Sequence, residues 1–100
     1  MSEQLEKIAL EVLAQYPIKR AAFFGSIARY ECTEKSDIDL LVEFLPGTPG
    51  LEFFGLHVDL KEAFGRHVDL LTWDCLEEAK PAFRNNIKRE ERIIYELQSA

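Results

Sequence analysis

Two aspartates separated by a single residue, Asp37 and Asp39, stand at the start of an apolar segment that ends at Phe44. Apolar side chains recur along this segment with a period of two, which predicts a β-strand over residues 37–44. Side chains two residues apart in a strand point to the same face, with backbones about 6.6 Å apart. Because two carboxylates at the start of a buried strand are costly without a cation, the pair predicts a site for Mg²⁺.

A third carboxylate is expected from a neighbouring strand. Asp69 is the favoured candidate, because strand-forming residues flank it in a strand predicted over residues 67–72. Asp59 is the competitor, but it belongs to a predicted helix and lies off the apolar side, where an ordinary exposed acid is expected. Two metal ions held by acidic side chains are the usual arrangement for in-line displacement at phosphorus.

The dipeptide Gly25-Ser26 follows an apolar run, residues 21–24, that predicts a buried strand. A short helix capped by Ser26 is predicted over residues 27–31. Glycine at such a junction lets backbone N–H groups approach an anion, and the helix N-terminus and the Ser26 hydroxyl strengthen the attraction. Strand–Gly–Ser–helix junctions are also common as plain structure, so this pattern alone is a weak signal of phosphate binding.

Arg29 lies three residues after Ser26 and shares one side of the short predicted helix with it. A guanidinium in this place either holds a phosphate or pairs with a nearby acid, Glu31, Asp37 or Glu43. The sequence favours neither alternative.

His57 falls on a predicted helix surface and His67 at the start of a predicted strand. Histidines in such positions are usually neither ligands nor bases, so neither receives a role.

The surrounding pattern predicts alternating helices and strands, and therefore an α/β domain with crossover connections. Helices are predicted over residues 3–15, 51–65 (with Gly65 as the C-terminal cap) and 77–88. Residues 92–96 fit either a last strand or a helix end. No linker divides the 100 residues, so they are expected to form one domain.

Composition excludes several classes of function. Hydrophobic residues make up 47% of the chain, enough for a core, and the net charge of −6 argues against nucleic-acid binding. No apolar run has transmembrane length, and the N-terminus lacks the pattern of a signal peptide. Cys32 and Cys75 have no metal-site spacing, so reduced thiols and a cytoplasmic location are expected.

Taken together, these residues resemble the minimal nucleotidyltransferases, the smallest members of the DNA polymerase beta-like superfamily. The family pattern is Gly-Ser, ten residues, Asp-x-Asp and a third carboxylate on a later strand. Here ten residues separate Gly25-Ser26 from Asp37-Ile38-Asp39. Residues 24–29, 36–42 and 64–72 carry most of the likeness, which extends from residue 5 to about residue 95. A departure is Tyr30, where relatives often have glycine.

The resemblance implies a small nucleotidyltransferase fold, a mostly mixed sheet of three to four strands flanked by helices. It implies that Asp37 and Asp39 bind Mg²⁺, and that Asp69 completes the metal site or activates the acceptor hydroxyl. By the same likeness Gly25 and Ser26 hold the triphosphate. Arg29 is then a phosphate contact.

The resemblance also implies a partner. Proteins of this kind are typically the antitoxin of a two-component pair, and the partner is a small helical HEPN-type toxin. AMP transfer from ATP to a tyrosine of that toxin is the leading hypothesis. A module that neutralises its partner by binding alone, and an enzyme acting on a small molecule such as an aminoglycoside, are the alternatives.

Overall fold

The computed structural model describes residues 2–97 as alternating helices and strands. The helices are α1 (Ser2–Leu13), α2 (Gly25–Ala28), α3 (Leu51–Phe64), α4 (Trp73–Glu77) and α5 (Pro81–Glu90). The strands are β1 (Ile18–Phe24), β2 (Ile38–Phe44), β3 (Val68–Thr72) and β4 (Arg92–Glu96). The mixed α/β class is confirmed, and residues 92–96 form a strand.

The two long helices, α1 and α3, agree with the periodicity of their apolar residues. Helix α3 ends where Gly65 adopts a left-handed backbone with φ of 67°, as predicted for a glycine cap. The helix predicted over residues 77–88 is divided, because Glu77 ends α4 and Pro81 begins α5. Proline moves the preceding Lys80 out of the helical region, which separates the two helices.

The four strands form one mixed sheet with the order β3-β2-β1-β4. Strands β2 and β3 are parallel and are joined by a crossover through α3. Strand β1 runs antiparallel to both of its neighbours, β2 and β4. The mixed sheet expected from the sequence is confirmed, and the crossover connection applies to the β2–α3–β3 unit.

Helices cover both faces of the sheet. The larger cluster of buried side chains joins one face to α1 and α3, and the smaller joins the other face to α4 and α5. Along β2 the side chains of Ile38, Leu40 and Val42 belong to the larger cluster, and Leu41 belongs to the smaller one. The alternation therefore places Asp39 on the α4/α5 face.

Candidate active site

The three predicted aspartates meet at one edge of the sheet. Asp39 is the second residue of β2, Asp69 is the second residue of β3, and the two are partners in the parallel register. Asp37 directly precedes β2 instead of beginning it, so the strand predicted from residue 37 is one residue too long. Carboxylate oxygens of Asp37 and Asp69 lie within 4.8 Å of each other. We call these three residues the acid cluster.

Gly25 lies against the acid cluster because β1 ends beside it. Phe24, the last residue of β1, is the antiparallel partner of Asp39. Gly25 follows with φ of 68°, and a Cβ atom at this position would lie 2.2 Å from Oδ2 of Asp39. Only glycine leaves room for this carboxylate, so the need for Gly25 is steric as well as conformational.

Ser26 does not cap the helix that follows, contrary to the prediction. Helix α2 begins two residues earlier than predicted, at Gly25, and its N-cap residue Phe24 has no side-chain cap hydrogen bond. Ser26 is half-buried in the first turn. Since α2 has only four residues, its macrodipole is small. An anion at this junction would therefore be bound mainly by the backbone N–H groups of the turn, with little contribution from the helix dipole.

Burial and like charge make Asp39 hard to ionise. Its partial burial, then its hydrogen bond with Asp69, and then the charges of Asp69 and Asp37 raise the pKa of Asp39 to about 7. His67 acts in the opposite direction. A divalent cation would compensate the same repulsion, and the oxygen donors present are those that Mg²⁺ prefers. The acid cluster therefore fits the metal ion that the family pattern implies.

His67 also belongs to this edge of the sheet, although no role was predicted for it from its position in the sequence. Its Nε2 atom lies 2.8 Å from Oδ1 of Asp69, and both side chains are about half exposed. The spacing of two residues from Asp69 in a strand was the available signal, because it predicts a shared face. His57 is a different case: it lies on α3 and donates from Nε2 to the carbonyl oxygen of Val68.

Arg29 pairs with acids, as one of its two predicted alternatives required. Its Nε atom lies 3.1 Å from Glu31, and its Nη1 atom lies 2.8 Å from Glu90 of α5. The pairing with Glu90 was not foreseen. Both acids raise the pKa of the guanidinium, Glu31 most strongly. The side chain also lines the cleft described next.

A cleft of about 630 Å³ opens beside the acid cluster, a size typical of small-molecule sites. Asp39, Asp69 and Gly25 lie on one side, and Phe83, Asn86 and Ile87 of α5 lie on another. The remaining lining residues are Phe24, Arg29, His57, His67, Val68, Leu70, Leu71 and Glu90. The cleft combines carboxylates, a cation and apolar walls, which is the usual composition of a small-molecule site.

Asp59, the competitor for the third carboxylate, lies elsewhere. Its Oδ2 atom accepts a hydrogen bond from the Tyr16 hydroxyl, which connects α3 to the chain after α1. Asp59 is half-buried, so the expectation of an ordinary exposed acid is wrong. The preference for Asp69 near the other two aspartates agrees with the geometry.

The family description "Polymerase beta, Nucleotidyltransferase" matches residues 6–100. The chain therefore belongs to the polymerase beta-type nucleotidyltransferases. It is 37% identical over 87 residues to a candidate protein adenylyltransferase of Methanocaldococcus jannaschii, covering 87% of this chain and 90% of that one. It is 30% identical to the protein adenylyltransferase MntA of Thermococcus cleftensis, covering 93% of each chain.

Solved structures agree with this assignment. A candidate minimal nucleotidyltransferase superposes with a TM-score of 0.69 at 31% identity, covering 90% of this chain and 89% of the other. A second similar structure is a complex of a tri-AMPylated HEPN toxin of Shewanella oneidensis with its MNT antitoxin. Its TM-score is 0.67 at 18% identity, and the match covers 97% of this chain and 74% of that one. At that identity the second likeness concerns the fold. Among the described residues, no helix is both long enough and apolar enough to cross a bilayer.

Proposed function

We propose that this protein is a Mg²⁺-dependent adenylyltransferase that moves AMP from ATP to a hydroxyl group, and that the acceptor is a tyrosine of a HEPN-type toxin. The convergence of Asp37, Asp39 and Asp69 beside the backbone of Gly25 carries this proposal. The relatives named as protein adenylyltransferases, and the AMPylated toxin bound by a protein of the same fold, support the choice of acceptor.

In the proposed reaction, the acceptor oxygen attacks the α-phosphorus of ATP. The bond from that phosphorus to the oxygen bridging the β-phosphate breaks, pyrophosphate leaves, and the acceptor proton passes to a base. Asp69 either takes this proton or completes the metal site. The bound metal ions, two in the usual arrangement, supply stabilisation of charge on the attacking and leaving oxygens.

Each remaining residue of the site has a place in the same proposal. Asp37 and Asp39 hold the metal ions, and their carboxylates are oriented by the start of β2. Gly25 and Ser26 line the turn that receives the triphosphate. Arg29 contacts a phosphate by exchanging one of its two acidic partners, Glu31 or Glu90, for a phosphate oxygen.

In this proposal the described residues provide the nucleotide side of the site, and the acceptor comes from another protein. A toxin bound next to the cleft would present its tyrosine to the α-phosphate, and its modification would make this chain the antitoxin of the pair. The net charge of −6 makes a nucleic-acid acceptor a poor fit. We place the reaction in the cytoplasm, where ATP is abundant.

The test uses ATP labelled at the α-phosphate, and separately at the γ-phosphate, with purified chain, Mg²⁺ and the HEPN partner. AMP transfer labels the partner from α-labelled ATP and not from γ-labelled ATP. Asp37→Asn should lower the rate at least about a hundredfold, because charge stabilisation in the transition state is lost. Asp74→Asn is the matched control, since it also neutralises an exposed aspartate but lies on α4, outside the acid cluster.

Label that appears only from γ-labelled ATP indicates phosphoryl transfer, by this chain or by a contaminating kinase, and contradicts the proposal. Label on an aminoglycoside, with none on the protein partner, would show that the protein is a small-molecule nucleotidyltransferase instead.

A further inference from the structure

One nitrogen donor lies among the oxygen donors of the acid cluster. A ring nitrogen of His67 and one carboxylate oxygen each from Asp37 and Asp69 all lie within 4.8 Å of one another. The parallel register explains this, because Ile38 opposes Val68 and the residues before them therefore lie side by side. The backbone confirms the alignment: the Ile38 N–H donates to the His67 carbonyl oxygen over 3.1 Å.

The spacing of these atoms suits a six-coordinate ion. Adjacent donors around an octahedral ion with bonds of 2.0–2.1 Å lie about 3 Å apart, and opposite donors lie about 4 Å apart. The 2.8 Å between His67 Nε2 and Asp69 Oδ1 matches an adjacent pair. The 4.8 Å limit on the whole set leaves Asp37 within reach of the same ion after a small rotation.

Exposure is consistent with this arrangement. The side chains of His67 and Asp69 are 55% and 50% exposed, so ring and carboxylate can rotate toward an ion that enters from the cleft. Both also line that cleft. His57, the other histidine of the cleft, is committed to the Val68 carbonyl over 2.7 Å and points its Nε2 at the backbone.

We infer that Nε2 of His67 is a direct ligand of a divalent ion shared with Asp37 and Asp69, giving this enzyme a metal site with mixed nitrogen and oxygen donors. An imidazole ligand favours first-row transition ions over Mg²⁺, which prefers oxygen. The chain is therefore expected to bind Mn²⁺ with a specific contribution from His67. This inference rests on the proposed function in one respect, that the acid cluster holds the ion used there.

The competing role for His67 is positioning. In that case the ring donates its N–H to Asp69, orients the carboxylate and never contacts the ion, as is common around metal ligands. Activity measurements do not separate the two roles, since loss of either role should slow the enzyme. A spectroscopic signature of metal–nitrogen coordination does separate them.

The experiment records electron spin echo envelope modulation of Mn²⁺ bound to the full chain without nucleotide. We expect modulation from one directly coordinated ¹⁴N nucleus, its loss in His67→Gln, and its persistence in the control His57→Gln. Labelling all histidines with ¹⁵N distinguishes the imidazole from the nitrogens of adenine, if the ion requires a nucleotide to bind. His67→Asn provides a second variant, and circular dichroism checks that each one is folded.

The same samples give affinities. His67→Gln should weaken Mn²⁺ about tenfold, the lower end of what changes around a metal site usually cost. It should weaken Mg²⁺ much less, because Mg²⁺ keeps several of its waters and prefers oxygen. Equal losses for both ions would contradict the inference.

Besides equal affinity losses, three results of the spin-echo experiment overturn the inference: bound Mn²⁺ without nitrogen modulation, modulation that persists in His67→Gln, or no bound Mn²⁺ at all. The first two leave AMP transfer by the wild type untouched, so they refute the ligand and not the proposed function. Nitrogen modulation in a protein that fails to transfer AMP would support the ligand and refute the proposed function.

Discussion

Asp39 shows why a cation would stabilise the acid cluster. Its carboxyl group is held near Asp37 and Asp69 at the start of β2, and burial is the largest cause of its raised pKa of about 7. The unfolded chain, with the ordinary value of 3.8, loses this proton earlier as the pH rises. The folded protein therefore binds more protons between about pH 4 and pH 7, and its stability falls across that window.

Asp39→Asn should remove this loss in metal-free protein. At pH 8 the variant should be more stable than the wild type by about 1–2 kcal/mol, after discounting for the half-exposed position of the carboxyl group. At pH 4 the two proteins should differ little. Urea unfolding at both pH values, with a chelator present, measures the difference. If Asp39→Asn were less stable than the wild type at pH 8, the carboxylates of the acid cluster would not destabilise one another.

Gly25 tests the steric part of the site. Gly25→Ala should abolish Mg²⁺ binding and AMP transfer, because its Cβ would occupy the space of Asp39 Oδ2, which lies 2.2 Å away. Gly47→Ala is the matched control: it also has a positive φ, 87°, but its Cβ would meet no atom within 4 Å. Each substitution should cost about 1 kcal/mol or more in stability, since alanine disfavours a left-handed backbone.

Thermal unfolding measures the loss of stability that both glycine variants should share. Titration with Mg²⁺ measures the loss of metal binding that only Gly25→Ala should show. Loss of metal binding in both would mean that backbone strain alone disturbs the site. Retention in both would show that Asp39 is displaced without consequence.

At the scale of elements, a hydrogen bond fixes the chain segment after α1 to α3. The Tyr16 hydroxyl donates to Asp59, and this bond is the largest cause of the raised pKa of Tyr16, about 12. Tyr16→Phe should lower the free energy of unfolding at pH 7 by about 1–2 kcal/mol, because the half-buried carboxylate loses its donor. The companion change Asp59→Asn keeps an acceptor for the hydroxyl and should cost less. Urea denaturation ranks the two, and the reverse order would contradict this role for Tyr16.

Short elements were the hardest to predict. The five residues of α4 are fewer than periodicity can detect, and the helix is held by Thr72, whose side chain accepts from the Cys75 N–H. Local sequence patterns also do not determine which strands run parallel and which run antiparallel. The long helices and the aspartate-bearing strand were predicted because their apolar periodicity matches the surface that they bury.

The departure at Tyr30 has a structural meaning that the sequence did not reveal. Tyr30 has φ of 61°, a left-handed conformation that glycine adopts without strain. This explains why glycine suits the position, and Tyr30 is instead covered by the guanidinium of Arg92, 4.4 Å from its ring. The contact comes from a residue 62 positions away in the chain, so no local pattern could predict it.

At the scale of the whole molecule, the cleft could not be predicted from sequence patterns. The spacing of Gly25, Ser26, Asp37 and Asp39 predicted one side of the site. The other side belongs to α5, and its place depends on packing of Ile87 in the smaller cluster and on the ion pair between Glu90 and Arg29. Phe53 and Ile94 pack in part against the larger cluster. Phe54 and Phe83 are exposed.

Removing the divalent ion should stop AMP transfer without unfolding the protein, because the core lies on the sheet faces and not at the acid cluster. A chelator should abolish label transfer, and Mg²⁺ added in excess should restore it. Far-ultraviolet circular dichroism should be the same before and after. Transfer that continues in the chelator would contradict the role of the metal ion.

The central claim is that the acid cluster catalyses modification of the partner and does not only hold it. The most direct measurement is the intact mass of the HEPN partner after co-expression with wild-type chain and with the double variant Asp37→Asn, Asp39→Asn. We expect one or more added adenylyl groups with the wild type, an unmodified partner with the variant, and toxicity that returns with the variant. An unmodified partner in both cultures, neutralised equally well, would contradict it.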